Sequence, residues 1–237
     1  MSSLDEFIHA RDVVHVSDLV TDALRNAILT KRYPPGTRLR QEEVAQTLGV
    51  SRQPVRDAMK QMIGEGLLVS GSKGYIVREF TPEYLVENYR LRALLEGEAA
   101  SLAASRISAA EIEELIRANG IFGEANSGGA HLRANYDFHK LIRGASASPT
   151  LEKIVDELWL VTTIATPVII PGRLEHSQAE HLNIIAALEA GNGEAARTAM
   201  RLHIQNAAVK YFGSIPEPDT RFIAPNGLNA LPEQGHE

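Results

Sequence analysis

The chain has 237 residues and a formal net charge of −6; it is 44% hydrophobic, 23% charged and contains no cysteine. This composition excludes disorder along the whole chain, and the lack of cysteine excludes disulfides, thiolate zinc sites and cysteine nucleophiles. No apolar run reaches the roughly 18 to 20 residues of a membrane span, and Met1–Glu6 lacks the basic end and apolar core of a signal peptide. We therefore expect a soluble cytoplasmic protein without a membrane partner.

The negative charge is unevenly distributed along the chain. Residues 1–78 contain 11 Lys and Arg against 9 Asp and Glu, whereas residues 79–237 contain 13 against 21. Within residues 25–78 the counts are 10 against 4, which gives a net charge of +6. A basic segment beside an acidic one indicates two parts with separate roles, with ordinary sequence variation as the alternative.

The basic part predicts three helices followed by a β-hairpin. The helices are expected at residues 17–32, with Ser17 as N-cap, at 41–47 and at 51–63. Prolines and glycines follow each helix and stop it. The β-prone triplets Leu67–Val69 and Tyr75–Val77 flank a glycine-rich stretch, as in a hairpin. A short helix-turn-helix followed by a hairpin predicts a winged helix-turn-helix.

The acidic part is almost entirely helical in pattern. The expected helices are residues 82–105, 108–122, 130–145, 149–166, 173–190 and 193–212, with a clear break at Pro167–Gly172. We therefore predict a mainly α protein, with an N-terminal winged helix-turn-helix joined to an antiparallel all-α bundle of about six helices. The predicted organisation is a flexible tail at 1–16, a DNA-binding domain at 17–78, a linker at 79–82, the bundle at 83–213 and a flexible tail at 214–237.

Residues 50–58 place basic and amide side chains at the start of the third helix. In a helix-turn-helix, the second helix of the motif presents such residues to the major groove of DNA. Arg52 and Arg56 are four residues apart and share a face, and the planar guanidinium suits guanine edges and phosphates. Gln53 can read adenine, and the cap region around Ser51 can receive a phosphate.

The tip of the predicted hairpin supplies a second candidate contact. Lys73 and Gly74 can reach the DNA backbone or the minor groove from there. The alternative for this surface is an ordinary solvated helix face, since two arginines on one helix indicate little by themselves. The complete pattern of three helices and a hairpin around them favours DNA binding.

This first part resembles the GntR family of bacterial transcription regulators. The matching segments are Ile28–Leu39, Glu42–Ala58, Glu65–Leu68 and the hairpin with Gly74. The resemblance implies that the protein binds double-stranded operator DNA as a homodimer, with Arg52 and Arg56 as DNA-contacting arginines and Gly74 as the glycine of the wing.

The chain departs from some members of that family at one position. Those members carry a phosphate-binding arginine near the start of the second helix, where this chain has Glu43. Arg38 and Arg40 lie close by in the sequence, so they are the candidates to compensate.

Three histidines of the acidic part fall on three different predicted helices. His139, His181 and His203 each lie within an apolar pattern, and Asn135 precedes His139 by four residues on the same helical face. Imidazoles from three helices and one side-chain oxygen can hold a divalent ion, and an ion with open positions can bind a carboxylate. The alternative, which spacing alone favours, is three separate histidines that are hydrogen-bonded in a core or at a surface.

The bundle is similar to the ligand-binding domain of the FadR subfamily, called the FCD domain. The matching segments are Arg92–Glu96 with Ala99–Ala100, Asn135–His139, and Glu180–His181 with His203. The resemblance implies a divalent metal ion, zinc or nickel-like, and a small carboxylate effector, which Arg92 would help to neutralise. The alternative for Arg92 is a buried salt bridge to Glu96 or to another acid of the bundle. Asparagine stands where aspartate is common, and its neutral amide is the weaker ligand. Six helices favour the shorter, VanR-like branch.

We predict a metabolite-responsive transcription factor, most simply a repressor that its effector releases from DNA, and no catalytic residues. A competing hypothesis is a metal-dependent enzyme that uses His139, His181 and His203. The His-Glu-x-x-His motif, which would supply a general base, does not occur in the sequence. A third hypothesis, a helical scaffold that only dimerises, leaves the basic recognition helix unexplained.

Overall fold

A computed structural model describes residues 15–166 and 173–214 of the chain. The predicted break at Pro167–Gly172 and nearly all of the two predicted tails lie outside these residues. The chain divides into two compact units, Met1–Glu79 and Phe80–Glu237, and each is described by itself.

From residue 15 onward, the first unit contains three helices and a small antiparallel sheet. Its elements are α1 (Val16–Leu29), β1 (Arg38–Leu39), α2 (Gln41–Leu48), α3 (Arg52–Gly64), β2 (Leu68–Gly71) and β3 (Gly74–Val77). The sheet order is β1-β3-β2, and Arg38 of β1 lies opposite Ile76 of β3. The predicted hairpin thus gains a third strand, β1. With only two residues, β1 is too short to show the alternation of apolar and polar residues that identifies a strand in a sequence.

The expected N-cap of the first helix is wrong. α1 begins at Val16, and the extended residue before it is His15. The carbonyl of His15 accepts the first helical hydrogen bonds, from the backbone N–H groups of Asp18 and Leu19. Ser17 therefore already lies inside the helix, where its own carbonyl accepts a hydrogen bond from the Thr21 hydroxyl.

Local signals explain how the other elements of the first unit end and pack. α2 ends at Gly49, whose φ of 66° is the left-handed conformation that glycine adopts at the end of a helix. Along α3 the residues Val55, Ala58, Met59 and Met62 recur at helical spacing, and all four are fully buried. This stripe faces α1 and the sheet and forms the core of the unit.

Within residues 80–166 and 173–214, the second unit is a bundle of six helices. They are α4 (Pro82–Ala104), α5 (Ala109–Glu124), α6 (Gly128–Ala145), α7 (Pro149–Ala165), α8 (Leu174–Glu189) and α9 (Gly193–Ser214). Ser108 and Glu111 form the capping box at the start of α5. The predicted fold class, a mainly α protein with a winged helix-turn-helix and a helical bundle, is confirmed.

Helix α4 runs through the bundle and packs against α6, α7, α8 and α9. Alongside its apolar residues it buries Asn88, Arg92 and Glu96, which are four residues apart and so form a polar stripe along one face. Burial of a polar stripe is costly unless each group finds a partner. Thr162 of α7 is the partner of Asn88 Oδ1 and of Arg92, and α6 supplies partners for Glu96. Asn88 Nδ2 has no hydrogen-bond partner among the described residues. These contacts define the candidate site.

Candidate functional site

The three histidines of the bundle meet in its interior. His139 on α6, His181 on α8 and His203 on α9 each offer a ring nitrogen, and these nitrogens lie within 4.8 Å of one another. The Nε2 atoms of His139 and His203 are 3.1 Å apart. All three side chains are buried, with exposed fractions of 0%, 0% and 4%. We call these residues the histidine cluster.

In each ring of the cluster, the Nδ1 atom forms a hydrogen bond with a side-chain oxygen. Nδ1 of His139 lies 2.7 Å from Glu96 Oε2, and Nδ1 of His203 lies 2.8 Å from Glu180 Oε2. Nδ1 of His181 lies 3.0 Å from Asn119 Oδ1. Because these oxygens accept hydrogen bonds, each Nδ1 carries the hydrogen and each Nε2 keeps a lone pair.

Arg173 also approaches the ring of His203. Its Nη2 atom lies 3.2 Å from Nδ1, but a guanidinium has no acceptor atom, and the carboxylate of Glu180 is closer. We therefore assign the Nδ1 hydrogen of His203 to the bond with Glu180. Arg173 itself binds Glu180 Oε2 at 2.6 Å and the backbone carbonyl of His203 at 3.0 Å.

The lone pairs of the cluster fit a bound cation. Two imidazole lone pairs that face each other at 3.1 Å repel unless a positive charge lies between them. His181 Nε2 and Asn135 Oδ1 are buried acceptors that have no hydrogen-bond partner within residues 15–166 and 173–214, which is costly in a protein interior. Nitrogens that each lie about 2.0–2.1 Å from one zinc ion are themselves within roughly 4 Å of each other. The three converging imidazoles thus form a donor set that suits zinc or a similar divalent ion, and the side-chain oxygen of Asn135 is the fourth donor expected from the sequence.

The electrostatics keep the histidines neutral and their carboxylate partner charged. Burial lowers the pKa of His139 to about 4, against an opposing effect of Glu96. Burial also lowers the pKa of His181 and that of His203. Burial would raise the pKa of Glu96, but the Arg92 guanidinium and His139 outweigh it and hold that pKa well below its usual range. Neutral imidazole is the form that binds metal ions.

A cavity of about 170 Å³ adjoins the cluster. His203 of the cluster lines it, as does Asn135, and its other walls include aromatic, threonine and arginine side chains, among them Tyr89, Trp159 and Thr162. An engineered cavity of about 150 Å³ holds one benzene molecule, so a ligand of comparable size fits here.

Arg92 forms the buried salt bridge that was one of the two roles expected for it, and its place in the cavity wall keeps the second role, neutralising an acid, as a prediction. Its Nε atom donates to Glu96 Oε1 at 2.8 Å, and its Nη1 atom donates to Thr162 Oγ1 at 3.2 Å. The guanidinium carbon lies 3.9 Å from the ring centroid of Trp159. Arg92 forms the salt bridge with Glu96 and also lines the cavity.

The predicted DNA-contacting residues lie on the surface of the first unit. The exposed ones are Arg38, Arg40, Ser51, Arg52, Gln53, Arg56 and Lys73. Ser51 occupies the N-cap position of α3, but its side chain makes no capping hydrogen bond. Gly74 lies at the hairpin tip with a φ of 118°.

Side-chain contacts hold the two arginines of α3 at the surface of the first unit. Arg52 pairs with Glu42 of α2, and Arg56 donates to Gln53 at 2.6 Å. Arg40 pairs with Glu43 at 2.9 Å. All of these groups are exposed, and contacts of this kind contribute at most about 1 kcal/mol, so DNA phosphates can displace them.

Sequence reasoning missed the groups that orient the histidines. Asn119 and Arg173 carried no recognisable motif, and Trp159 drew no attention. One signal was present in the sequence: the polar residues Asn88, Arg92 and Glu96 recur every four positions in an otherwise alanine- and leucine-rich helix, which is typical of a buried polar network.

Two family models match the chain. The model of bacterial regulatory proteins of the gntR family matches residues 17–74, and the FCD domain model matches residues 87–206.

Similar proteins include two named regulators and one solved structure. The chain is 31% identical to a probable D-xylose utilization operon transcriptional repressor of Paenarthrobacter nicotinovorans, over 80% of this chain and 85% of that protein. It is also 31% identical to an Nta operon transcriptional regulator of Aminobacter aminovorans, over 78% and 87%. The structure of McbR/YncC of E. coli superposes with a TM-score of 0.73 at 25% identity, over 86% of this chain and 100% of that one.

Proposed function

This chain belongs to the GntR family of bacterial regulatory proteins and carries an FCD domain, and we propose that it is a repressor which a small organic acid releases from its operator. It is a DNA-binding transcriptional regulator, as its relatives are. The alternative of a metal-dependent enzyme is dropped, because the family and these relatives are regulators. One relative carries the name of a repressor, which supports the proposed direction of control.

One observation carries the effector part of the proposal. Three buried Nε2 atoms with free lone pairs converge beside a cavity that two arginines line. We assign a zinc or nickel-like ion to His139, His181, His203 and Asn135. Such an ion, when bound, supplies a Lewis acid for the carboxylate of the effector, while the arginines balance its charge.

The DNA part of the proposal rests on the first unit. Residues 17–78 would form the DNA-binding domain, joined by residues 79–82 to an effector-binding and dimerisation domain at 83–213. A two-fold homodimer would space two copies of α3 along a pseudo-palindromic operator. The proposed contacts are Arg38, Arg40, Ser51, Arg52, Gln53, Arg56, Lys73 and Gly74. The protein would act in the cytoplasm, where bacterial operator DNA lies.

Effector and DNA affinities are linked in this proposal. An acid that binds one arrangement of the dimer more tightly shifts the population toward it. If that arrangement fits the operator less well, the acid lowers the affinity for DNA, and DNA lowers the affinity for the acid by the same factor.

The test uses the full-length protein as purified. Elemental analysis and native mass spectrometry are expected to find a dimer with a divalent ion in each protomer. Genomic fragments selected by the protein identify the operator, and fluorescence anisotropy then measures its affinity with and without candidate acids. If the purified protein has all three histidines intact but contains no metal, the proposed metal site is wrong. If no candidate acid changes the affinity for the operator, the proposed release by an effector is wrong.

A further inference from the structure

Two arginines, Arg92 and Arg173, line the cavity. Each of them is linked by a glutamate side chain to one histidine of the cluster. Arg92 Nε lies 2.8 Å from Glu96 Oε1, and the other oxygen of the same carboxylate lies 2.7 Å from His139 Nδ1. All three side chains are nearly or completely buried. We call this arrangement the Arg92 relay.

A second arrangement of the same kind also borders the cavity. Arg173 Nη1 lies 2.6 Å from Glu180 Oε2, and the same oxygen lies 2.8 Å from His203 Nδ1. Asn206 donates to the other oxygen of Glu180 at 2.7 Å. We call this arrangement the Arg173 relay. His181 differs from the other two histidines, because its ring is held by the neutral amide of Asn119.

The charges around the cluster are balanced before an ion binds. Glu96 lies between Arg92 and Arg143, and Arg143 also pairs with Asp156 at 2.6 Å. Three arginines (Arg92, Arg143 and Arg173) thus face three carboxylates (Glu96, Asp156 and Glu180). The proposed protein ligands are all neutral, since Asn135 contributes an amide and the histidines contribute neutral imidazoles. A divalent ion therefore adds two uncompensated positive charges to a buried site, which favours the binding of an anion beside it.

We propose that the Arg92 and Arg173 relays make the metal ion and the acidic effector bind cooperatively, a role that rests on the proposed function of this site. In the free protein each arginine neutralises the glutamate that orients a metal-binding histidine. A carboxylate in the cavity competes for the guanidinium group. The glutamate, now less neutralised by the arginine, accepts a stronger hydrogen bond from the histidine Nδ1–H. As a result, Nε2 of the same ring becomes a stronger electron-pair donor to the metal.

The two relays differ in how readily they can respond. Arg92 is buried and is also held by Thr162 and by the face of Trp159, so its movement disturbs the packing of α4 and α7. Arg173 precedes α8, and 11% of its side chain is exposed. The Arg173 relay is therefore the one to test by substitution.

The linkage is reciprocal, so the acid raises the affinity for the metal by the same factor by which the metal raises the affinity for the acid. Changes to groups that orient metal ligands typically alter metal affinity by about 10- to 100-fold. We expect the acid to raise zinc affinity about tenfold.

The experiment measures zinc affinity of the full-length protein by competition with a chromophoric chelator, in chloride and in acetate, propionate or benzoate. Trp159 is the single tryptophan of the chain and lines the cavity, so its emission reports independently whether an acid has entered. In the wild type, the acid that changes this emission is expected to raise zinc affinity about tenfold.

Two substitutions in the Arg173 relay have opposite expected effects, which a merely structural role would not produce. Arg173→Gln leaves Glu180 without its cation, so zinc affinity rises without acid and the acid adds little. Glu180→Gln removes the charge, so zinc affinity falls about tenfold and the effect of the acid is largely lost. Arg197→Gln, which breaks a surface pair with Glu98, is the matched control and is expected to behave as the wild type.

Each remaining outcome decides a different claim. If both relay variants lose zinc affinity, the relay is overturned and the two residues only support the fold. If an acid changes the emission of Trp159 but not the zinc affinity of the wild type, the relay is overturned while the carboxylate site stands. If the wild type does not bind zinc, or if none of the three acids affects emission or affinity, the proposed function of the site fails as well.

Discussion

His139 and His203 approach each other Nε2 to Nε2 at 3.1 Å in the interior of the helical bundle. Neither nitrogen carries a hydrogen, because Glu96 and Glu180 accept the hydrogens of the opposite ring nitrogens. Two facing lone pairs in a buried place are unfavourable unless a cation joins them. This one contact connects the fold of the bundle to the proposed metal site.

Removing one of these two rings is expected to abolish the response to zinc. In the wild type, zinc at about 1,000 times its Kd stabilises the fold by about 4 kcal/mol, which raises Tm by roughly 10 °C for a chain of this size. His203→Ala is expected to lose nearly all of this shift in a thermal melt with and without zinc. His131→Ala is the control, since His131 lines the cavity outside the cluster; loss of the shift there too would contradict the assignment.

Neutralising Glu96 is expected to destabilise the bundle strongly. Glu96→Gln keeps the size of the side chain but leaves Arg92 and Arg143 without their shared carboxylate, and removal of one partner from a buried ion pair costs about 3–5 kcal/mol. Glu98→Gln on the same helix removes only a half-exposed partner of Arg197 and is expected to cost less than about 1 kcal/mol. Urea unfolding measures the free energy of unfolding of both variants. Equal losses would contradict the expectation that Glu96 stabilises the bundle more than Glu98 does.

Acid is expected to destabilise the metal-free protein. His139 has a pKa of about 4 in the fold against about 6.5 in the unfolded chain, so between these values the unfolded state binds more protons. Stability therefore falls as the pH is lowered through this window, by about 3 kcal/mol for this residue. The depressed pKa of Glu96 acts in the same direction at lower pH. Urea midpoints in the presence of a chelator at about pH 7.5 and about pH 5 check the sign, and a higher midpoint in acid would be inconsistent with neutral buried imidazoles.

The two arginines of α3 are expected to carry most of the affinity for DNA. Arg52→Ala combined with Arg56→Ala removes two guanidinium groups from the face that enters the major groove, and each good base contact is worth about 1–3 kcal/mol. Operator binding should therefore weaken at least 100-fold, by about 3 kcal/mol or more, while the melting of the bundle is unchanged. Arg117→Ala removes an exposed arginine of α5 as a control for net charge. A double variant that binds the selected operator as the wild type does would refute the DNA-binding surface.

The hairpin tip is expected to tolerate only glycine at one position. Gly74 has a φ of 118°, and a Cβ atom there would lie 2.6 Å from the backbone oxygen of Leu39. Gly74→Ala is expected to destabilise the first unit by about 1–3 kcal/mol and to weaken DNA binding. Gly64→Ala meets open space at the end of α3 and is expected to stabilise by about 0.5–1 kcal/mol. Thermal melting and DNA titration of both variants make the comparison; a Gly74→Ala variant as stable as the wild type would contradict it.

The family membership and the mainly helical fold follow from the sequence alone, because the signals that define them are local. Gly49 ends α2 in the left-handed conformation, Ser108 and Glu111 cap α5, and Pro82 and Pro149 lie in the first turns of α4 and α7. Each signal acts within a few residues of the chain, so no knowledge of the packing is needed to recognise it.

Two features of the first unit were not predicted from local sequence signals. The two-residue strand β1 exists only because β3 offers it a partner, and α1 begins one residue before Ser17 because the carbonyl of His15 accepts the first helical bonds. Neither feature leaves a periodic trace in the sequence.

Sequence alone indicated that the three histidines lie in apolar patterns on three separate helices, with Asn135 on the same helical face as His139. Only the tertiary structure decided that His139 and His203, 64 residues apart, bring their nitrogens to 3.1 Å, and that Glu96, Asn119 and Glu180 orient the rings. The reason is physical: helical periodicity fixes the direction of a side chain around its own helix, whereas the rotation and offset between helices are set by the packing of the whole core.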